Sequence, residues 1–178
     1  MAKQTDYIMG ESVQLWVGTG KTAHTVACAT SMSLQIQADS VDVANKDTGA
    51  WGATKRGKVT WNTTQTNQFA VADYKELMNY FIQGTPVLCI FGLVGNTNDT
   101  SSPDTMGRIV PEAGWTPSTG STDADNYYYG YATITSVSLK ADQGSVATYD
   151  IQLNGTGALK NGLPDGATYT KAPMDTEA

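Results

Sequence analysis

Apolar and polar residues alternate over most of this chain, the two-residue period of strands that cover one face and leave the other outside. Val13, Leu15 and Val17 alternate and predict a first strand, ended by a turn over 18–21. Residues 25–39 read as one long second strand region, with Met32, Leu34, Ile36 and Ala38 on one face and Ser31, Ser33, Gln35 and Gln37 on the other. An irregular connection over 39–58 follows, and a strand over 59–69 turns Asn62, Thr64, Thr66 and Gln68 to one side. The period then changes. Over 71–83, Tyr74, Leu77, Met78 and Phe81 recur at spacings of three and four, which predicts a helix. Asp73 lies in its first turn, where a carboxylate suits the helix dipole, and Gly84 can supply the left-handed residue that ends it. Residues 87–94 are nearly all apolar, as in a strand buried on both faces. Two further strands, 127–140 and 145–155, flank a turn at 141–144. In the second, Ala147, Tyr149, Ile151 and Leu153 oppose Thr148, Asp150, Gln152 and Asn154.

The pattern predicts a mainly β protein, an antiparallel β-sandwich or barrel-like fold with one flanking α-helix. Residues 95–126 have no period and are rich in Ser, Thr, Asn, Asp, Gly and Pro. They exceed ordinary connections and read as an exposed inserted loop, with Trp115, Ile109 and Val110 pinning part of it against a neighbouring chain. The domain spans 1–158, and 159–178 form an extended C-terminal tail.

Composition narrows the function. The chain has 178 residues, of which 40% are hydrophobic and 16% charged, enough apolar material for a core. No run approaches the roughly 20 apolar residues that span a bilayer, so no membrane anchor is expected, and the start lacks the pattern of an export signal. A net charge of −6 argues against a protein that grips nucleic-acid phosphates. One histidine excludes a multi-histidine metal site within one chain. Cys28 and Cys89 read as buried free thiols.

Several motifs resemble chemistry without completing it. Gly18-Thr19-Gly20-Lys21-Thr22 looks like the end of a phosphate-binding loop, but Leu15 stands where the first glycine is required and a strand follows instead of a helix. A hairpin turn is the better reading. His24 has no nucleophile motif beside it and reads as structural. Asp99, Asp104, Asp123 and Asp125, with Asn96 and Asn98, offer hard oxygen ligands but not the spacing of a complete calcium loop. Tyr127, Tyr128, Tyr129 and Tyr131 could stack on sugars, yet tyrosines in a strand more often pack a sheet edge or subunit seam. No nucleophile, acid–base pair or metal set emerges, so the chain is not read as an enzyme and no cofactor is expected. What stands out instead is long strand faces of uncharged amides and hydroxyls. Such edges invite association unless another chain covers them.

The run Ala29-Thr30-Ser31, then Leu34-Gln35-Ile36, Asp39 and Asn45-Lys46-Asp47-Thr48-Gly49-Ala50-Trp51, resembles phage major tail proteins, which build the tail tube. The resemblance continues through Gly57-Lys58-Val59-Thr60-Trp61, the helix, Gly130-Tyr131-Ala132-Thr133-Ile134-Thr135-Ser136 and the closing Asn154-Gly155-Thr156-Gly157. It covers most of 13–158 in order, with a longer insert at 95–126. It implies a subunit of hexameric rings that stack into a hollow tube conducting DNA during ejection. Its partners would be further copies of itself and the other tail proteins: tape measure, initiator and terminator. It would reside in the virion tail after assembly in the host cytoplasm. A tube protein of a contractile or type VI secretion system, which shares the fold, is the first alternative. The alternative of another kind is a monomeric β-sandwich module binding carbohydrate or calcium.

Two groups of residues become candidates. Asp42, Lys46, Asp47, Trp51, Lys55, Arg56 and Lys58 form an inter-subunit loop in which Trp51 is either an interface anchor or a cap on its own core. The basic trio lies in the irregular connection and suits an acidic neighbouring chain. Gln35, Gln37, Asn62, Thr64, Thr66, Thr148, Asp150, Gln152 and Asn154 are candidates for the lumen, which DNA would cross without specific binding. There Asp150 either contributes a ring of carboxylates or pairs with Lys140 at a seam.

Overall fold

The computed structural model describes residues 13–26, 28–45, 51–94, 114–117 and 127–172. In chain order the elements are β1 (Val13–Thr19), β2 (Thr22–Thr25), β3 (Ala29–Asp42), β4 (Thr54–Gln68), α1 (Val71–Gln83), β5 (Val87–Leu93), β6 (Tyr128–Lys140), β7 (Thr148–Gly155), β8 (Lys160–Asn161) and β9 (Thr168–Thr170). They form one sheet in the order β3-β4-β7-β6-β5-β1-β2-β9, with β8 on β6. The expected mainly β fold is what the chain adopts, with one helix among the described residues.

Two boundaries differ from the sequence reading, and both follow from topology. β2 and β3 are consecutive in sequence yet stand toward opposite ends of the sheet, so 25–39 cannot be one strand. The link from Thr25 to Ala29 spans at most about 14 Å, so the sheet must curl until its two sides nearly meet. Cys28 takes the corner at φ 53°, and its carbonyl accepts a hydrogen bond from the Gln68 amide at 3.0 Å. That places Cys28 at the surface, against expectation, whereas Cys89 is buried. The second correction concerns 39–58. β3 runs on to Asp42 and β4 begins at Thr54, pairing Asp42 with Thr54 and Val41 with Lys55. Lys55, Arg56 and Lys58 therefore sit on a strand of a long hairpin, not in an irregular connection.

The curl encloses one core on its concave side and builds a second on the reverse of β1 and β5. Leu15, Val17, Val87, Cys89, Trp61, Tyr149, Ile151 and Leu153 belong to the first. Trp16, Leu88, Ile90 and Tyr127 belong to the second. β1 and β5 feed both cores from alternate residues, which is why β5 reads as continuously apolar. Trp115 and the C-terminal Leu163 and Tyr169 pack on the second core. The Trp16 Nε1 donates to the Trp115 carbonyl at 3.0 Å. Trp115 thus packs on its own subunit's second core; Ile109 and Val110 lie outside the described residues. Two pieces of the expected extended tail join the sheet: β8 pairs with Tyr128 and Tyr129, and β9 runs parallel to β2.

α1 ends as its sequence predicts, with Gly84 at φ 64° and its amide bonded to the Phe81 carbonyl. Its buried stripe is rotated from the predicted one. Asp73 and Leu77 are buried and Tyr74 and Tyr80 pack on the core, while Phe81 is partly exposed and Ile82 largely so.

Candidate assembly surface

Four strands, β3-β4-β7-β6, carry the candidate residues, and their registers decide which side chains meet. Gln35 pairs with Asn62, Asn62 with Asn154, and Asn154 with Thr133. The next row is Ser33, Thr64, Gln152 and Ser136, and the one after it Ser31, Thr66, Asp150 and Ser138. Gln68, Thr148 and Lys140 close the series, and Gln37 extends it beside Thr60. All nine candidate lumen residues therefore share one continuous face. Ser33 and Thr64 share a hydroxyl hydrogen bond of 2.8 Å across it. The opposite face carries Leu34, Trp61, Ile134, Ile151 and Leu153 and lies over the core.

Asp150 stands on the polar face, and its carboxylate is not bare. Asp150 accepts a 2.7 Å hydrogen bond from the Thr66 hydroxyl and lies 3.3 Å from the Lys140 ammonium. The Thr66 hydrogen bond, and then Lys140, hold its carboxyl below the usual range against the opposing effect of desolvation. The lysine partner weighed from the sequence is thus met inside the subunit.

The edges of this four-stranded unit are open. Among the described residues β3 ends the sheet and pairs with β4 alone. β6 pairs with β5 over Tyr128–Ala132, but from Thr133 onward it has a strand on its β7 side alone among the described residues. Neither edge carries the prolines or dense charge that discourage pairing. Past Asp42 the hairpin projects to Trp51, which is 85% exposed. That exposure excludes the alternative in which Trp51 caps its own core. Asp42 holds the turn by accepting the Ala44 amide at 2.8 Å. Lys46 and Asp47 lie outside the described residues.

A buried polar cluster fixes α1 to the sheet. Asp73 has no solvent exposure, and its carboxylate accepts a hydrogen bond from the Tyr149 hydroxyl. His24 Nε2 stands 3.7 Å from the other oxygen. Burial, followed by the Asp73 charge, pushes the Tyr149 hydroxyl well above its ordinary range. His24 is thus the structural residue expected. The 18–22 segment is likewise the β1–β2 hairpin turn, with Gly20 at φ 64°. Tyr127 and Tyr129 pack on the second core, Tyr128 is exposed on the other face of β6, and Tyr131 is exposed. Among the described residues no group of three metal-ligating side chains comes together, and the candidate calcium carboxylates lie outside them.

No protein-family model and no curated protein matches this chain. Solved structures do. The tail of an empty gene transfer agent particle, refined with C6 symmetry, superposes with a TM-score of 0.61 at 17% identity over 87% of this chain and 98% of that one. The SPP1 tail tube superposes with a TM-score of 0.60 at 15% identity, over 89% and 81%. This chain has the tail-tube fold. A chain from the virion of a native gene transfer agent particle agrees, with a TM-score of 0.59 at 18% identity over 87% and 98%.

Proposed function

We propose that this chain is a structural subunit of a tail tube, without enzymatic activity, whose hexameric rings stack into a channel that conducts DNA during ejection. The observation that carries the reading is the four-stranded unit with one polar face, mostly amides and hydroxyls, and, among the described residues, an open edge along β3 and along β6 from Thr133. The C6 symmetry of the gene transfer agent tail supports six copies per ring. Laid side by side, β6 of one copy meets β3 of the next. Because successive pairs β3-β4, β4-β7 and β7-β6 are antiparallel, the new pair is antiparallel too. Both faces then continue across the junction: Ser136 and Ser138 beside the β3 amides and hydroxyls, and Leu139 beside the apolar β3 residues. Leu139 is 47% exposed in the single subunit, as a residue awaiting cover would be. Closed sheets of more than about 16 strands leave an aqueous channel, and six four-stranded units exceed that.

The core occupies one face of these strands, so the face left for the channel is the one bearing Gln35, Gln37, Asn62, Thr64, Thr66, Thr148, Asp150, Gln152 and Asn154. An amide and hydroxyl lining with its carboxylate paired to Lys140 has no cation excess to hold phosphates, so DNA passes without tight binding. The hairpin end, with Asp42, Trp51, Lys55, Arg56 and Lys58, reaches a neighbouring subunit or ring. Tape-measure, initiator and terminator proteins would meet the tube in a virion tail assembled in the host cytoplasm.

Negative-stain microscopy and sedimentation of concentrated protein test this. Rings or tubes are expected; a protein that stays monomeric at high concentration, even with tail-initiating partners, refutes it. Trp51→Ala should leave subunit stability within about 0.5 kcal/mol while weakening association by about 2 kcal/mol or more.

A further inference from the structure

Where the β3–β4 hairpin leaves the body of the subunit, its inner face and residues 155–159 bound an open groove of about 700 Å³. Ile36, Val59 and Trp61 give it an apolar wall, with Leu159 opposite, and Arg56 and Lys58 also line it. The subunit's own core leaves Ile36 55% and Val59 40% exposed.

The β6–β7 connection, 141–147, lies at the other end of the same strands. Lys140 pairs with Thr148 beside the connection, whereas Ala132 pairs with Gly155 beside the groove. The eight residues of β7 separate them, about 26 Å at the rise of a strand. This connection carries Asp142 and presents Val146, which is 69% exposed.

We infer that the β6–β7 connection of one copy seats in the hairpin groove of another, with Val146 against Ile36 and Val59 and Asp142 between Arg56 and Lys58. The inference rests on the tube reading and adds the contact that stacks one ring on the next. The two surfaces cannot meet within a chain, because rigid strands hold them at opposite ends. They are complementary: each exposes aliphatic side chains, one beside a carboxylate and the other beside two cations. A contact between unlike surfaces at opposite ends of a subunit repeats by translation and grows an open filament, as a tube requires. Ring closure uses the lateral edges of β3 and β6 and leaves both ends free, so the two contacts do not compete.

Disulfide trapping tests the contact. Val146→Cys and Val59→Cys are made separately in a Cys28→Ser background, mixed at the concentration used for microscopy, and oxidised. Both positions are exposed, so each variant should fold. A covalent dimer that forms in the mixture and with neither variant alone is the expected result; its absence overturns the inference. As a second measurement, Asp142→Lys should cut stacked material by about tenfold or more, and adding Arg56→Asp with Lys58→Asp should restore it. Wild-type-like stacking by Asp142→Lys counts against the contact. Tubes that form without the cross-link overturn this inference and leave the tube reading standing. A cross-link in a protein that never forms rings keeps the contact and overturns the tube reading.

Discussion

Tyr149→Phe isolates the bond that docks the helix on the sheet. The Tyr149 hydroxyl is the hydrogen-bond donor to a carboxylate with no solvent exposure, and the other Asp73 oxygen has no hydrogen-bond partner. His24, at 3.7 Å, is too far to take over. Removing the hydroxyl loses a hydrogen bond to a charged group and strands the carboxylate, at a cost of about 2–3 kcal/mol. With a urea slope of about 2 kcal/mol/M for a small protein, the unfolding midpoint should fall by roughly 1–1.5 M at unchanged slope. Adding Asp73→Leu removes the stranded charge as well and should recover more than half of the loss. Equilibrium urea unfolding followed by circular dichroism and by tryptophan fluorescence reads both variants. A midpoint within about 0.2 M of wild type, or a double variant that merely sums the single losses, refutes the reasoning.

Gly155→Ala puts a Cβ 2.1 Å from the Trp61 ring, which must then shift and give up its 2.7 Å hydrogen bond to the Gly157 carbonyl. A loss of about 2–4 kcal/mol is expected in the same unfolding assay, and a loss under about 1 kcal/mol would contradict the packing described. Asp150 has a depressed carboxyl pKa, so its contribution is present above the ordinary carboxylate value of about 4 and disappears as pH falls through the lower folded value. Lys140 is 67% exposed, so Asp150→Asn should cost no more than about 1 kcal/mol at pH 7 and flatten the acid limb of stability below about pH 4; an unchanged acid limb would argue against the pairing. Cys28 should react with iodoacetamide in the native protein and Cys89 after unfolding alone, since burial pushes the Cys89 thiol up to about 12. Peptide mass mapping that finds Cys89 modified first would reverse the assignment.

Local periodicity determined whatever depends on which face of a segment is covered. A pleated strand has two faces, so alternation put Tyr149, Ile151 and Leu153 inside and Thr148, Asp150, Gln152 and Asn154 outside, and the structure agrees. The change to a 3.6 period bounded α1, and Gly84 ended it as its left-handed freedom allows. Each polar stripe of the assembly surface was legible strand by strand. Its continuity was not, because a one-residue slip of β4 on β7 would turn half of it inward, and register depends on partners far away in the chain. Periodicity also failed on β4 itself, where Asn62, Thr64 and Thr66 face outward but Thr63, Gln65 and Asn67 are polar and buried. It joined β2 to β3 because sheet order leaves no local mark. Trp115 and the strand at Thr168–Thr170 went unrecognised as parts of the subunit for a related reason. Their cover comes from Trp16 and from β2, up to 146 residues away. A sequence pattern records that a residue prefers to be buried; which surface buries it is set when distant segments pair, and that is decided by the closed geometry of the whole sheet.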